Sequence, residues 1–337
     1  MRSLLAPAAL AVAIAACGGG QKSGPGADTP GASAASDGSP KASEPSASGD
    51  ASGIGSAVDA ELAGAQGKTE TFSDAATLDA LRKKLVKGSL DGVVRLDLAG
   101  RSLGTGLGKL LGGSSALRGL AALDVSDNDL GAEGVRSLAK SAELGELRQL
   151  DLGGNEIGDA GATALARGTS LRDLKVLNLS GNEIAAGGAK SLAGSALLDK
   201  VVSLDLSINP IGADGVKALA GSSHLGELKS LFLLGSDIGP QGAAALASSD
   251  TLRSLSVLAL SGNGIGDSGA QALAGAKALG TLRTLDLSAN GIGDAGAKAL
   301  SSSKNLGQIR SIEMFGNDFG AVGTHALKKR FGDALKL

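Results

Sequence analysis

The chain contains no tryptophan and no tyrosine, and its five phenylalanines (Phe72, Phe232, Phe315, Phe319 and Phe331) are scattered. Bases and sugar rings are held on stacked aromatic platforms, and such platforms cannot be assembled here in number. A single cysteine, Cys17, excludes an internal disulfide, so any exported body must be stable without one. The only histidines, His224 and His325, lie far apart, and neither has a cysteine or a carboxylate cluster at ligand spacing. No metal site and no Ser/His/Asp constellation is therefore expected. Charge of one sign is missing too. Lys+Arg total 32 against 34 Asp+Glu, a net charge of −2, which gives no electrostatic footprint for a nucleic acid. The run Gly18-Gly19-Gly20 follows no strand and is no phosphate cradle. No cofactor and no enzymatic activity are expected.

A long apolar run is absent as well. Leu4 to Ala16 spans about 13 residues, short of the roughly 20 a membrane helix needs, and follows a minimal basic start at Arg2. It closes on Ile14-Ala15-Ala16-Cys17, which resembles the lipobox of bacterial lipoproteins. The resemblance implies a signal peptide over residues 1–16, lipidation of the Cys17 thiol and a mature chain that starts there. Two or three acyl chains on one residue would anchor it stably to a membrane. Gly18, rather than Asp, follows the cysteine, which by the enterobacterial sorting rule implies the outer membrane of the cell envelope. Residues 17–68 are rich in Gly, Ser, Ala and Asp, with Pro25, Pro30, Pro40 and Pro45 among them. They carry too little apolar surface to offset chain ordering, and read as a disordered tether with an r.m.s. span of about 40 Å.

Residues 69–92 read as a capping helix. Ser73 is a suitable N-cap, Leu78, Leu81 and Leu85 recur at helical spacing, and Gly88 is a natural stop. From Val93 onward one pattern returns every 27 residues, marked by Leu96/Leu98, Leu123/Val125, Leu150/Leu152, Leu177/Leu179, Leu204/Leu206, Leu231/Leu233, Leu258/Leu260, Leu285/Leu287 and Ile312/Met314. A fixed period of this length means a solenoid, in which each unit buries its apolar face against its neighbours. Within one unit, Leu150 and Leu152 face one side of a short strand and Asp151 the other. Asn155 then ends the strand, and with Asn128, Asn182, Asn209, Asn263, Asn290 and Asn317 it should form a stacked hydrogen-bonded ladder. Ile157 plugs the core, and Ala162, Leu165 and Ala166 form the apolar face of a helix. Acidic residues such as Asp159, Asp267 and Asp294 suit the positive end of that helix. Gly134 and its equivalents at 27-residue steps are expected to hold the helix close to the strand layer.

These units resemble leucine-rich repeats of the ribonuclease-inhibitor-like class, whose signature they match across nearly all of residues 93–327. The resemblance implies an α/β solenoid, an open horseshoe arc with parallel strands on the concave face and helices on the convex face. Strands stack at about 4.8 Å and helices at 8–10 Å, so nine units must curve. Arg101 and Leu107 depart from the pattern in the first unit, Ser236 takes the ladder Asn position in the sixth, and Lys328-Lys329-Arg330 ends the last helix. Phe331 and residues 334–337 are expected to fold over the C-terminal opening.

One residue of each unit points out of the concave face between the paired leucines. In order these are Asp97, Asp124, Asp151, Asn178, Asp205, Phe232, Ala259, Asp286 and Glu313. The carboxylates form a stripe that either receives a basic partner or is simply a solvated feature of the repeat class. Phe232 and Leu234, with Ala259 beside them, interrupt it. An aromatic exposed on a strand has no folding rationale, so this break reads as a binding hot spot or as drift in one unit. The expected function is a monomeric, lipid-anchored envelope protein that binds an unidentified protein partner. A structural spacer of the envelope is the alternative. Small-GTPase activation, which some ribonuclease-inhibitor-like proteins carry out in the cytoplasm, conflicts with the signal segment.

Overall fold

The computed structural model describes residues 68–71, 78–86, 90 and 92–337. The signal segment, Cys17, the tether before Lys68, and Ser73 and Gly88 lie outside the described residues. The repeat builds eleven strands in strict chain order, each hydrogen-bonded in parallel to the next, in a sheet that does not close on itself. They are β1 Lys68–Thr71, β2 Val93–Asp97, β3 Ala122–Asp124, β4 Gln149–Asp151, β5 Val176–Asn178, β6 Ser203–Asp205, β7 Ser230–Phe232, β8 Val257–Ala259, β9 Thr284–Asp286, β10 Ser311–Glu313 and β11 Leu335–Lys336. Helices return the chain between them: α1 Leu78–Val86, α2 Thr105–Gly112, α3 Gly131–Ala139, α4 Gly158–Ala166, α5 Ala186–Ala193, α6 Gly212–Ala220, α7 Gly239–Ala247, α8 Gly266–Gly275, α9 Asp294–Ser301 and α10 Ala321–Phe331. The pairing register never slips from β2 to β10, so equivalent residues stand directly beside one another.

The paired leucines of every strand are buried together with the Ile and Leu of the facing helices. Helices with a single apolar stripe have nowhere else to place it, and this continuous core is what couples each unit to the next. The glycine inside each helix has a sharper purpose than keeping the layers close. A Cβ on Gly161 would lie 2.6 Å from the Ile157 side chain, and one on Gly215 would lie 2.3 Å from Ile211. The glycine lets the isoleucine that enters the core tuck beneath the first helical turn. In the first unit Leu107 occupies the glycine position and is buried, while Gly108 supplies the close approach, its Cβ position 2.3 Å from the Gly134 carbonyl.

The asparagine ladder forms as the spacing requires. The Nδ2 of Asn155 donates to the carbonyls of Val125, Leu152 and Gly153 at 2.9–3.0 Å. Its Oδ1 accepts the amides of Asn128 and Leu130 at 3.2 Å. One side chain thus satisfies five backbone groups of two adjacent turns, and Asn155 is fully buried. Ser236 does less. Its hydroxyl reaches the carbonyls of Leu206 and Leu234 at 3.3 and 3.4 Å, and the Ile211 amide bonds the Asn209 carbonyl instead of a ladder oxygen.

Two devices were not anticipated from sequence. Ser195, Ser222, Ser249 and Ser303 form a second ladder, each hydroxyl donating to the carbonyl of Ala166, Ala193, Ala220 or Ala274 in the preceding unit at 2.5–2.6 Å. The helix-start aspartates cap the following helix rather than their own. Asp267 accepts the amides of Gly293 and Gly296 at 2.8 Å, Asp294 those of Gly320 and Gly323 at 2.9 and 2.8 Å, and Asp159 that of Ala185 at 2.8 Å. Helices α5, α9 and α10, which receive these caps, begin from an extended residue, whereas α3, α4, α6, α7 and α8 begin on a glycine with positive φ.

Both ends of the described sheet are covered. Helix α1 lies in the expected capping segment with Leu81 and Leu85 buried, and a strand absent from the sequence reading, β1, precedes it and pairs with β2. At the other end β11 pairs with β10, and Phe331 is buried beneath the Arg330 guanidinium, which lies 5.3 Å from its ring centre.

Candidate binding face

The outer face of the sheet is a grid in which each strand contributes three positions. Its central column is the one read from the repeat, Asp97 through Glu313, and the register places the nine residues in one row across the strands. All are half-buried rather than fully solvated. Five carboxylates and Asn178 turn back on their own strand. Asp97, Asp124, Asp151, Asn178, Asp205 and Asp286 each accept, through Oδ1, the amide two residues on at 2.8–3.1 Å. Each residue thus closes the turn that ends its strand.

Burial and mutual repulsion together disfavour the charged forms. Burial raises the Asp124 carboxyl above its usual range, and the charges of Asp97 and Asp127 add to this. Asp151 rises furthest, to about 7, through burial and then the Asp124 charge, against the hydrogen bonds from Gly153 and Asn178. Burial also raises Asp205, and burial with the Glu313 charge raises Asp286. Among the described residues only Glu313 of this column has a cation partner, the Lys336 ammonium at 3.3 Å.

Phe232 occupies the row between Asp205 and Ala259, half-buried, and Leu234 beyond it is 38% exposed. Two residues not anticipated from sequence extend this apolar island. Val257 lies on the same face of β8, and Ile208, also 38% exposed, holds φ 55° in the turn after β6, its amide bonded to the Leu234 carbonyl at 2.7 Å. Glycine fills that turn position in six of the other units (Gly100, Gly154, Gly181, Gly235, Gly262 and Gly316). A β-branched residue in the left-handed region costs about 1–2 kcal/mol, so an apolar side chain is held here in a strained conformation and in contact with water. The signal was readable as the one isoleucine in a column of glycines.

Chemistry elsewhere is sparse. His224 Nδ1, in the loop before β7, lies 2.7 Å from Asp199 Oδ1, and His325 is exposed on α10. No group of three metal-ligating side chains occurs among the described residues. Open clefts of about 660 and 720 Å³ lie between helix ends on the convex side, lined mainly by Ala, Ser and Gly with a few charges, among them Lys277 and the Asp250–Arg253 pair at 2.9 Å.

The family model described as Leucine Rich repeat matches residues 120–139, 147–166, 170–193, 200–220, 251–274 and 281–301. Taken with the sheet order and the ladder, the fold is a leucine-rich-repeat solenoid, an open arc of parallel strands and helices. Among solved structures, the chain is similar to one titled as the crystal structure of a TLR13-ssRNA13 complex, at 22% identity and TM-score 0.45, with 75% of this chain and 33% of that chain covered. The chain thus spans a third of that protein's length. It is also similar to an internalin, inlF, from Listeria monocytogenes, at 18% identity and TM-score 0.33, with 79% of this chain and 95% of that chain covered. No curated protein matches the sequence.

Proposed function

We propose that the chain is a non-enzymatic protein-binding module, tethered through lipidated Cys17 to the outer membrane of a bacterial envelope, and that its concave face takes the partner. The observation that carries the reading is the island of Phe232, Leu234, Ile208, Val257 and Ala259. It interrupts a polar row near the middle of the sheet and includes a residue that is both strained and exposed. Strain retained at an apolar surface residue fits recognition, since folding alone gains nothing from it. Support for the anchor is the motif Ile14-Ala15-Ala16-Cys17 after a short apolar run, followed by a tether with little to bury.

The test is capture from detergent-solubilised membranes with three baits: the full chain, the tether alone and the full chain carrying Phe232→Ser/Leu234→Ser. One stoichiometric protein held by the full chain and by neither other bait is expected. Diffuse envelope material, held equally by the full chain and the double variant, would point to a spacer instead.

A further inference from the structure

Asp124, Asp151, Asn178, Asp205 and Phe232 are successive register partners on β3 to β7. Phe232 therefore stands three strand spacings from Asp151, about 14 Å at 4.7–4.9 Å per step. Asp124 and Asp151 are immediate neighbours, and neither has a cation partner among the described residues. Between them and the island, Asn178 is spent within the sheet, its Oδ1 accepting the Ser180 amide and its Nδ2 donating to Asp151 Oδ2, and Asp205 is the remaining acceptor, with Oδ1 already taking the Ser207 amide. A helix has no backbone amides to give such a floor beyond its first turn, because the rest are bonded internally. An extended segment has them throughout, and four residue steps span about 13 Å and bring the side chain back to the same face.

We infer that the partner presents an extended segment laid across the strands, with an arginine or lysine over the Asp124–Asp151 pair and an apolar residue four positions away in the Phe232–Leu234–Ile208 island. The inference rests on the concave-face reading and adds the ligand's chemistry, spacing and direction. A polar residue at the midpoint of the segment lies over Asn178 and Asp205. The cation neutralises two neighbouring carboxylates that are hydrogen-bonded within the sheet but have no cation partner among the described residues, which is why a purely apolar segment would be a poor ligand. Burial that raises both carboxyls also makes a partner cation hold the pair ionised, so binding weakens on acidification.

The probe is a set of end-blocked fluorescent peptides of Ser, Thr and Gly carrying one Arg and one Leu, set two to ten positions apart, titrated into the full chain to millimolar concentration. The tightest binding is expected at a separation of four. Asp124→Asn and Asp151→Asn should each weaken that peptide about tenfold, as should replacing its Arg by citrulline. Thermal midpoints of both variants confirm that they fold, and the citrulline arm needs no variant at all. Affinity indifferent to separation, an optimum near nine or ten (the helical reach), or no binding by any peptide overturns the inference. If the spacing rule fails while Phe232→Ser/Leu234→Ser still abolishes capture of the protein partner, only this inference falls. If the double variant captures the partner normally, the concave-face reading falls with it.

Discussion

Replacing Ser236 by asparagine should stabilise the protein, because it repairs the one interrupted rung between Asn128 and Asn317. Ser236 is fully buried in the turn equivalent to those of Asn209 and Asn263 in the flanking units, and its own amide already bonds Asn263 Oδ1 at 2.9 Å. What is missing is an amide oxygen for the backbone amides of Asn209 and Ile211, and a full-length donor for the carbonyls that Ser236 now reaches at 3.3 and 3.4 Å. Two restored hydrogen bonds at about 1 kcal/mol net each give a gain of roughly 2 kcal/mol. In a body of this size that corresponds to a rise in midpoint of about 4–8 °C. The reverse change, Asn182→Ser, should lose a similar amount by creating the same defect where Asn182 now bonds five backbone groups. Thermal and urea unfolding of both variants is the assay. A Ser236→Asn midpoint equal to or below wild type, with Asn182→Ser unchanged, would refute the ladder as a source of stability.

Asp151 provides a pH signature. Its carboxyl is raised from 3.8 to about 7, so the stability it contributes is complete below pH 3.8 and lost as pH rises through about 7. Asp151→Asn should therefore gain on wild type between pH 4 and pH 8, and a constant difference in midpoint would contradict the burial argument. Ile208→Asn, which places a residue tolerant of positive φ in that turn, should raise stability by about 1 kcal/mol while weakening the partner; joint loss of both would show Ile208 to be a packing residue. Deleting one whole 27-residue unit in register should leave a shorter folded solenoid, seen by circular dichroism, whereas deleting half a unit should not. Wild-type protein should enter the detergent phase on phase separation and Cys17→Ser should not, with equal partitioning counting against the lipid anchor.

Much of the fold was legible because the repeat fixes three things together: strand parity, the ladder asparagine and the helical stripe. What escaped the sequence lacks that redundancy. Strand β1, Lys-Thr-Glu-Thr, has no apolar alternation, and its extended form is imposed by pairing with β2. The serine ladder kept the 27-residue spacing but is broken by Ala276, and serine has too many surface uses to stand out. The caps from Asp159, Asp267 and Asp294 look from sequence like dipole partners of their own helices, since only three dimensions bring the next helix start to their oxygens. The central column was identified residue by residue, yet its half-burial was not, because curvature and the packing of neighbouring strands decide how much water reaches it. Ile208 was visible only against the glycines at its equivalent positions.

The most direct measurement is a pair of values for Phe232→Ser/Leu234→Ser against wild type: affinity for the captured partner and thermal midpoint. Binding through the island predicts a loss of about 2 kcal/mol or more in affinity, near thirtyfold, with a midpoint unchanged or slightly raised, since both side chains lie on the outer face. A lowered midpoint with undiminished affinity would contradict it, making the island part of the packing rather than the place where a partner binds.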